Sequence, residues 1–399
     1  MMRGLESKAP GWRRRIRDRK KDRRSKRQGQ RGAALLLVVW IFIVLFVVVL
    51  DFASSMRDDG LATANLADET QVYYIALAGL NRAVYDILGQ LEENPNALGL
   101  TGDDDDDDVG LQADESPGET EDEPNCGRVS ADGRWYDCDF GGGSYSVRLL
   151  DESSRISLNV VADDARHPEL TPLLRRVVER LLLGGNATEG VSVAEEREVS
   201  TIVDSILDWR DRNAEGEDET THANGAEADY YARLPHPYAI KNGPFDSIEE
   251  LLLVQGVTPE LFYGIEGRPG LRDVFSVDGK SKFVNAMQAP AAVLRVLINV
   301  DEETAQALVA EREEASFGFV ERVRAMMMAV DPELAPLLRA TPSPRMTVEA
   351  KGKMGDRIVA HVAAVMDLTD TFEGPTVMKW FDRVPGDWEG PGPTEDEGA

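Results

Sequence analysis

The longest apolar run of the chain lies close to its first residue. Positions 33–50 carry eighteen residues without a charged or polar side chain, and Asp51 ends the run. At about 1.5 Å per residue, a helix that includes Phe52 and Ala53 spans the roughly 30 Å hydrocarbon core of a bilayer. The pattern therefore predicts a transmembrane helix over 33–53.

A different helical pattern follows the apolar run. Between Val72 and Leu91, apolar side chains recur at spacings of three to five residues, which is the stripe of an amphipathic helix. Pro95 marks the end of this helix, and the run Asp58-Asp59-Gly60 is a candidate interruption between the two segments. We assign 54–94 to an amphipathic continuation of the N-terminal helix, and an anchor followed by a juxtamembrane coil is the alternative.

Alternation with a period of two indicates β-strands on both sides of a long helical stretch. Tyr145, Val147 and Leu149 alternate with polar neighbours, and a second alternating run covers 156–160 after the turn-like 151–154. This pattern predicts a β-hairpin. Strand-like alternation returns at 346–350, 357–366 and 377–384.

The stretch between these strands has helical periodicity. Because the strands before and after it need one another, the simplest arrangement is a helical domain over 163–345 inserted into a β-sheet scaffold. The predicted fold class is α+β, with a long N-terminal helix, an antiparallel sheet and a large all-α domain inserted between strands. Returning strands and a flexible tail occupy 346–399. The strongest helical segments are 170–183, 192–209, 246–255, 290–298, 301–315 and 317–329.

Acidic runs mark a loop that precedes the first strands. Asp103–Asp108 and Asp114–Glu123 are blocks of like charge, which repel themselves and are usually solvated. We expect a disordered acidic insertion, and we assign 95–162 to this loop together with the hairpin. Cys126 and Cys138 lie near its end, and in an oxidising compartment a disulfide that closes the loop is favoured over two free thiols.

Charge divides the chain into two parts. The whole chain has 44 Lys+Arg, 72 Asp+Glu and a net charge of −28, yet the leader 1–32 holds 14 basic and only 3 acidic residues. The remainder is so acidic that a phosphate backbone repels it. By the positive-inside rule, the leader is cytoplasmic and the remainder is exported. A retained anchor is favoured over a cleaved signal peptide because the apolar run is long and no A-x-A-like site follows it.

The junction between the leader and the apolar run resembles a type IV prepilin-like leader. Arg31-Gly32 is followed directly by the apolar helix, and in such proteins a membrane peptidase cuts after the glycine, which here leaves Ala33 first. Mature proteins of this kind normally begin with an aromatic residue and carry glutamate at their fifth position, where this chain has Leu37. A leader without that glutamate points to the minor pseudopilin K family of type II secretion systems.

Three distal stretches carry the same resemblance. The first is the run Asp208-Trp209-Arg210-Asp211-Arg212-Asn213, followed by Gly225-Ala226-Glu227-Ala228-Asp229-Tyr230-Tyr231. The others are 242–258 and 283–294, although the family more often has Asn-Thr-Ala-Pro where this chain has Met287-Gln288-Ala289-Pro290. The resemblance covers the leader, 145–161 and most of 200–330.

The first distal stretch also predicts a metal site. Asp211, Asn213 and Glu215 alternate directly after a helix, and oxygens spaced by two along a turning loop can face one hard cation, as calcium loops require. From spacing alone, a solvated acidic loop is the alternative. Family members bind calcium in this domain, so the resemblance implies a calcium site. Its expected ligands are Asp208, Asp211, Asn213, Glu215, Glu227 and Asp229.

The loop between these ligands is longer than the resemblance predicts. Glu217, Asp218, Glu219 and His222 are added to it, which leaves the individual ligands open. His222 beside acidic residues is a possible transition-metal ligand, but a solvated loop histidine is the favoured interpretation.

Two other function classes fit the sequence less well. Ser247–Ile265 and Ala292–Met326 resemble the helix–hairpin–helix modules of DNA-binding proteins, so the alternative is a membrane-anchored, competence-type DNA receptor. However, the second unit lacks a turn glycine at 298–300, and 163–345 holds 33 acidic against 19 basic residues. We therefore expect no nucleic-acid partner. We also expect no enzyme, because the four histidines are scattered and no nucleophile elbow, histidine zinc motif or phosphate loop is present.

The resemblance implies a function and a location. It implies a single-pass inner-membrane protein with a cytoplasmic N-terminus and a periplasmic bulk, which the prepilin peptidase processes and which is methylated. It also implies a place at the pseudopilus tip with minor pseudopilins I and J, in protein export across the outer membrane. In a pilin stack the fifth-position glutamate pairs with the N-terminal ammonium of a neighbour, and an unpaired charge in lipid is costly. Leu37 therefore favours a terminal position.

Overall fold

The computed structural model describes residues 12–93, 127–184, 192–211, 222–265, 267–314, 318–355, 358–369 and 374–382. The chain forms two compact units, Met1–Asp68 and Glu69–Ala399. The predicted acidic runs between 103 and 123 and the tail after Trp388 lie outside the described residues.

The helices of the described residues, in chain order, are α1 Trp12–Glu93, α2 Leu158–Val161, α3 Thr171–Leu183, α4 Val193–Arg210, α5 Ala228–Tyr231, α6 Pro259–Tyr263, α7 Leu271–Val274, α8 Ala291–Ile298, α9 Glu302–Glu314 and α10 Phe319–Val330. The strands are β1 Tyr136–Phe140, β2 Gly143–Asp151, β3 Ile156–Ser157, β4 Phe275–Ser276, β5 Val284–Asn285, β6 Leu338–Arg339, β7 Arg345–Met354, β8 Ile358–Asp367 and β9 Thr376–Phe381.

Helix α1 combines the predicted transmembrane and amphipathic segments in one element. It ends at Glu93, two residues before Pro95, as predicted. The predicted interruption at Asp58-Asp59-Gly60 is wrong, because the helix runs through it. A single glycine in a helix costs only about 1 kcal/mol, which the favourable residues on either side offset.

The last turns of α1 pack tightly against the sheet. A Cβ atom at Gly79 would lie 2.6 Å from the ring of Tyr145, and one at Gly352 would lie 2.3 Å from the carbonyl oxygen of Val72. Glycine at these positions therefore lets the helix approach the strands closely. The buried helix side chains in this contact are Ile75, Ala76, Leu80, Ala83, Ile87 and Leu91.

The sheet has five strands in the order β1-β2-β7-β8-β9, and every neighbouring pair is antiparallel. The pairing of β2 with β7 runs from Ser144 opposite Lys353 to Asp151 opposite Met346. Two strands separated by nearly two hundred residues are thus neighbours in the centre of the sheet, with the helical domain between them in sequence. This confirms the α+β fold with a helical domain inserted between strands. The insertion is not all-α as predicted, because it also contains the short strands β4, β5 and β6.

The hairpin predicted over 145–160 is wrong. The hairpin partner of β2 is β1, and the second alternating run forms only the two residues of β3 before helix α2 begins. Ile156, Leu158 and Val161 are buried in the core of the helical domain, so the insertion begins before the predicted residue 163. Strand β3 pairs in parallel with β4. Packing against the insertion overrides the local alternation here.

The predicted helices of the insertion are largely confirmed. The segments at 170–183, 192–209, 290–298, 301–315 and 317–329 correspond to α3, α4, α8, α9 and α10. The segment at 246–255 is instead the short 3₁₀-helix Ile248–Leu253. Ser192 opens α4 with a capping box that includes Glu195, which fixes the start of that helix. The insertion has a hydrophobic core separate from the core between α1 and the sheet.

Candidate functional sites

Helix α1 is the one helix of the described residues that is long and apolar enough to cross a membrane. The side chains of its apolar window are exposed, and Leu37 is 61% exposed. Gly32 and Ala33 lie within helix α1, where only the backbone is described. The processing role of Gly32 and Ala33 and the assembly role of Leu37 stay predictions.

An acidic cluster lies at the C-terminal end of α4. Asp204 and Asp208 lie one turn apart on the same face of the helix, and Asp211 follows directly after its last residue. Carboxylates are unfavourable at this end of a helix because the helix dipole is negative there. The cluster therefore needs hydrogen-bond donors or a positive charge.

The returning end of the loop after α4 supplies donors to this face. The backbone N–H and the side-chain amide of Asn224 each lie 3.0 Å from Asp204 Oδ2, and the backbone N–H of His222 donates to Asp208 Oδ1 at 3.1 Å. The loop approaches so closely that a Cβ atom at Gly225 would lie 1.7 Å from Asp208 Oδ2. Only glycine fits at that position without displacing the carboxylate.

The imidazole of His222 bridges two carboxylates of the cluster. Its Nδ1 lies 2.6 Å from Asp208 Oδ1, and its Nε2 lies 3.0 Å from Asp164 Oδ2. The hydrogen bond with Asp208 raises the pKa of His222 to about 9, against the opposing effect of burial. Burial and the charge of Asp208 raise the pKa of Asp211 to about 6.

Three residues of this cluster are arranged so that they can hold a metal ion. Asp208, Asp211 and His222 each offer a ligand atom, and these atoms lie within 4.8 Å of one another. Asp208 is completely buried, and neither its Oδ2 nor Oδ1 of Asp211 has a hydrogen-bond partner among the described residues. Buried carboxylate oxygens without partners are costly, so the donor set fits a cation.

The other predicted ligands do not join this group of three. Asn213 and Glu215 lie outside the described residues. Glu227 is buried and directly precedes α5, whereas Asp229 is exposed and pairs with Arg233 one turn further along. The structure thus brings Asp208 and Asp211 together, and it adds His222, which the sequence had placed in a solvated loop.

A second polar cluster joins the insertion to the sheet. Asp151 is buried at the end of β2, and Ser153, Asn285 and Ser343 all donate hydrogen bonds to its carboxylate. Ser153 lies where the chain enters the insertion, Ser343 lies where it leaves, and Asn285 belongs to the insertion itself. The carboxylate of Asp151 therefore links the two points where the chain passes between the sheet and the insertion. The sequence indicated only a turn at Asp151.

Only one of the two cysteines of the predicted disulfide lies in the described part of the chain. Cys138 is buried in β1 and is disulfide-bonded, and the chain has two cysteines. Cys126 lies outside the described residues, so the pairing of Cys126 with Cys138 stays a prediction.

The second helix–hairpin–helix-like unit is a poor phosphate site. Asn299 takes the left-handed conformation that ends α8, with φ of 52°, so the turn closes without glycine. Glu302 and Glu303 occupy the first turn of α9. Acidic side chains at a helix N-terminus repel the phosphate that such an end would otherwise attract. The expectation that the chain has no nucleic-acid partner stays a prediction.

A family model and a solved structure are similar to this chain. Residues 154–266 match the family model described as type II secretion system (T2SS), protein K. The fold is similar to a chain in the crystal structure of the GspK-GspI-GspJ complex from the enterotoxigenic Escherichia coli type 2 secretion system, with a TM-score of 0.52 and 15% identity. That match covers 80% of this chain and 98% of the other. No curated protein matches the chain.

Proposed function

We propose that this chain is a minor pseudopilin at the tip of the periplasmic pseudopilus. Its residues 154–266 match the family model of type II secretion system protein K, and its fold is similar to that of a chain in the GspK-GspI-GspJ complex. These matches support the minor-pseudopilin assignment made from the leader and the distal motifs. The observation that carries it is the insertion of the matched domain between two adjacent strands of a sheet that packs on helix α1.

The partners that we propose are minor pseudopilins I and J. The similar structure is that of a complex in which GspK is assembled with GspI and GspJ. In this chain α1 offers an exposed apolar segment that begins before Leu37, and neighbouring helices in a lipid environment can pack against such a segment. We assign no enzymatic or nucleic-acid-binding role, and we consider the chain a structural subunit of the secretion apparatus.

We further propose that the leader is removed in the cytoplasm after Gly32 and that Ala33 becomes a methylated N-terminus in the inner membrane. The basic leader and the acidic remainder support this orientation, since basic residues are retained on the cytoplasmic side. Without a carboxylate at Leu37, the subunit has no partner for the ammonium of a subunit stacked beyond it. A terminal position in the pseudopilus follows from this difference.

We also propose that the insertion binds a divalent cation. Asp208 and Asp211 fit a divalent cation, which would neutralise the carboxylates at the end of α4 and fix the returning loop. Calcium is the cation implied by the family resemblance, and its complete predicted set of ligands is not gathered among the described residues. A bound cation stabilises the insertion because it binds the folded state alone.

Co-purification tests the assembly role. The chain, with its anchor intact, is expressed with minor pseudopilins I and J of its own secretion system, solubilised in detergent and isolated through a tag on J. We expect all three proteins in one complex of defined stoichiometry. Recovery of I and J together without this chain, from membranes where the chain is present and folded, would contradict the proposed role.

A further inference from the structure

The last strand of the sheet carries an exposed apolar surface. Among the described residues, β9 pairs with β8 alone, so it forms one edge of the five-stranded sheet. Four of its six residues are apolar and between 38% and 49% exposed, namely Val377, Met378, Trp380 and Phe381. Natural proteins usually protect an edge strand with charged side chains or cover it, because an apolar edge attracts other chains. The apolar side chains of β9 therefore require a covering partner.

The opposite edge of the sheet is protected by charge. Strand β1 carries Asp137 and Asp139, and both are exposed. Strand β9 carries one charged residue, Lys379, whose Nζ lies 2.7 Å from Asp278 Oδ1 and 2.8 Å from the backbone carbonyl oxygen of Asp246. Because this cation is held by the insertion, it does not protect the edge. Of the two edges, β9 is therefore the one that can receive another subunit.

Hydrogen bonds hold the aromatic side chains of this edge in place. The indole N–H of Trp380 donates to Asp382 Oδ1 at 2.6 Å, and the hydroxyl of Tyr73 on α1 donates to the same oxygen at 3.1 Å. Tyr73 contacts Tyr74 edge to face, with ring centroids 5.7 Å apart, and Tyr74 is 62% exposed. Rigid aromatic side chains of this kind lose little entropy on binding and often dominate the free energy of protein–protein association.

The strand register places part of this surface on the side of the sheet that α1 covers. Trp380 pairs with Ala364 and Val377 pairs with Met366, and both of these partners belong to the core between α1 and the sheet. Directly paired residues of neighbouring strands share a face of the sheet. Since Trp380 and Val377 are exposed, they lie beside the helix and not beneath it. We call the group that a second subunit can contact from this side the edge surface: Tyr73, Tyr74, Val377, Met378 and Trp380.

We propose that the edge surface docks the globular domain of a second pilin-like subunit, one of the two minor pseudopilins, through an apolar face of that domain. This inference rests on the proposed function. The edge surface includes Tyr73 and Tyr74 of α1, the helix along which we propose that the subunits pack, so docking here continues that helix contact onto the sheet. An apolar centre with aromatic residues is the usual composition of the buried part of an interface. A second copy of this chain and the residues after 382 are the other occupants that the test distinguishes.

Photo-crosslinking in membranes tests the proposal. The photoreactive amino acid p-benzoylphenylalanine replaces Met378 in the full chain, which is expressed with minor pseudopilins I and J of its own secretion system. Irradiation should join this chain to I or J, and mass spectrometry identifies the product. The matched control carries the same amino acid in place of Phe140, which is 50% exposed on the protected edge strand β1. We expect no crosslink to I or J from that position.

Co-purification through a tag on J gives a second readout. Trp380→Ala should lower the amount of this chain recovered with J by about tenfold, whereas Phe140→Ala should be recovered like the wild type. If urea unfolding shows that Trp380→Ala does not fold, the crosslink from Met378 decides. The proposal is overturned if the wild type co-purifies with I and J but Met378 crosslinks to neither, or crosslinks to a second copy of this chain or to its own residues after 382. Failure of the wild type to co-purify would contradict the assembly role itself, and with it this inference.

Discussion

Two buried aspartates of this chain lie in opposite electrostatic situations. Asp151, at the junction of sheet and insertion, receives hydrogen bonds from Ser153, Asn285 and Ser343 on both of its oxygens. Asp208, at the end of α4, is as deeply buried, but its Oδ2 has no partner among the described residues. The comparison teaches that burial alone does not identify a functional carboxylate. The hydrogen-bonded carboxylate of Asp151 links the sheet to the insertion. The carboxylate of Asp208 is the one at which we propose a bound cation.

The largest effect should come from removing the satisfied carboxylate. Asp151→Ala leaves the donors of Ser153, Asn285 and Ser343 unpaired in a buried site, so we expect a loss of about 3–5 kcal/mol in the free energy of unfolding. Urea denaturation of the detergent-solubilised chain measures it. The loss should be equal with and without EDTA. A loss that appears only when metal is present would break the distinction between the two aspartates.

A smaller effect is expected where the loop covers Asp208. Gly225→Ala places a Cβ atom against Asp208 Oδ2, so the carboxylate or the loop must move, at a cost of about 1–3 kcal/mol. The same change should abolish metal binding, which calorimetric titration of the chain with a divalent cation measures. Gly243→Ala is the matched control, because its Cβ atom has no neighbour closer than 3.8 Å. If the two variants had the same stability and the same metal affinity, the close approach of Gly225 to Asp208 would have no role in the site.

Acid should weaken the junction between the sheet and the insertion through Asp367. Burial alone would raise the pKa of this carboxyl, but hydrogen bonds from Thr369, Arg345 and Lys280 hold it well below its usual value. A lowered folded-state pKa gives stability that is present above about pH 4 and is lost as the pH falls. We expect Asp367→Asn to be less stable than the wild type by about 1–2 kcal/mol at pH 7. The difference should shrink in urea titrations toward pH 3, and a constant difference would contradict this account.

The smallest effect is expected at the predicted ligand that lies outside the group of three. Asp229 is exposed and pairs with Arg233, and exposed ion pairs contribute little to stability. Asp229→Asn should therefore change neither the urea midpoint nor the metal affinity measurably. A clear loss of metal affinity would return Asp229 to the ligand set and would favour the oxygen-rich calcium site.

The long-range arrangement was predictable because its signals are strong. The apolar run before Asp51, the period of α3 and α4, and the need of the separated strands for one another predict the inserted α+β fold. The second strand of the hairpin was not predictable. Ile156 and Leu158 alternate like a strand, but their side chains pack into the core of the insertion, where the chain turns helical. Tertiary packing, and not the local alternation, therefore determines the structure of 156–161.

The candidate site was predictable only in part for a related reason. Asp208 and Asp211 were expected as ligands from the acidic run at the end of a predicted helix, and both join the cluster. His222 could not be assigned, because the length of the intervening loop conceals which residue returns to α4. The clearest local signal was the sequence Asn224-Gly225, whose small residues allow the loop to approach the helix. Asp164 contributes from a different part of the chain, which spacing does not reveal.

Mass spectrometry of the N-terminus of the chain isolated from its own membranes tests the central claim most directly. A minor pseudopilin of the type II secretion system should begin at Ala33, with a methylated amino group, because cleavage after Gly32 leaves the apolar helix at the new N-terminus. A chain that retains residues 1–32 would be a plain membrane anchor, and a chain that begins beyond Asp51 would be an ordinary secreted protein. Either result would contradict the account.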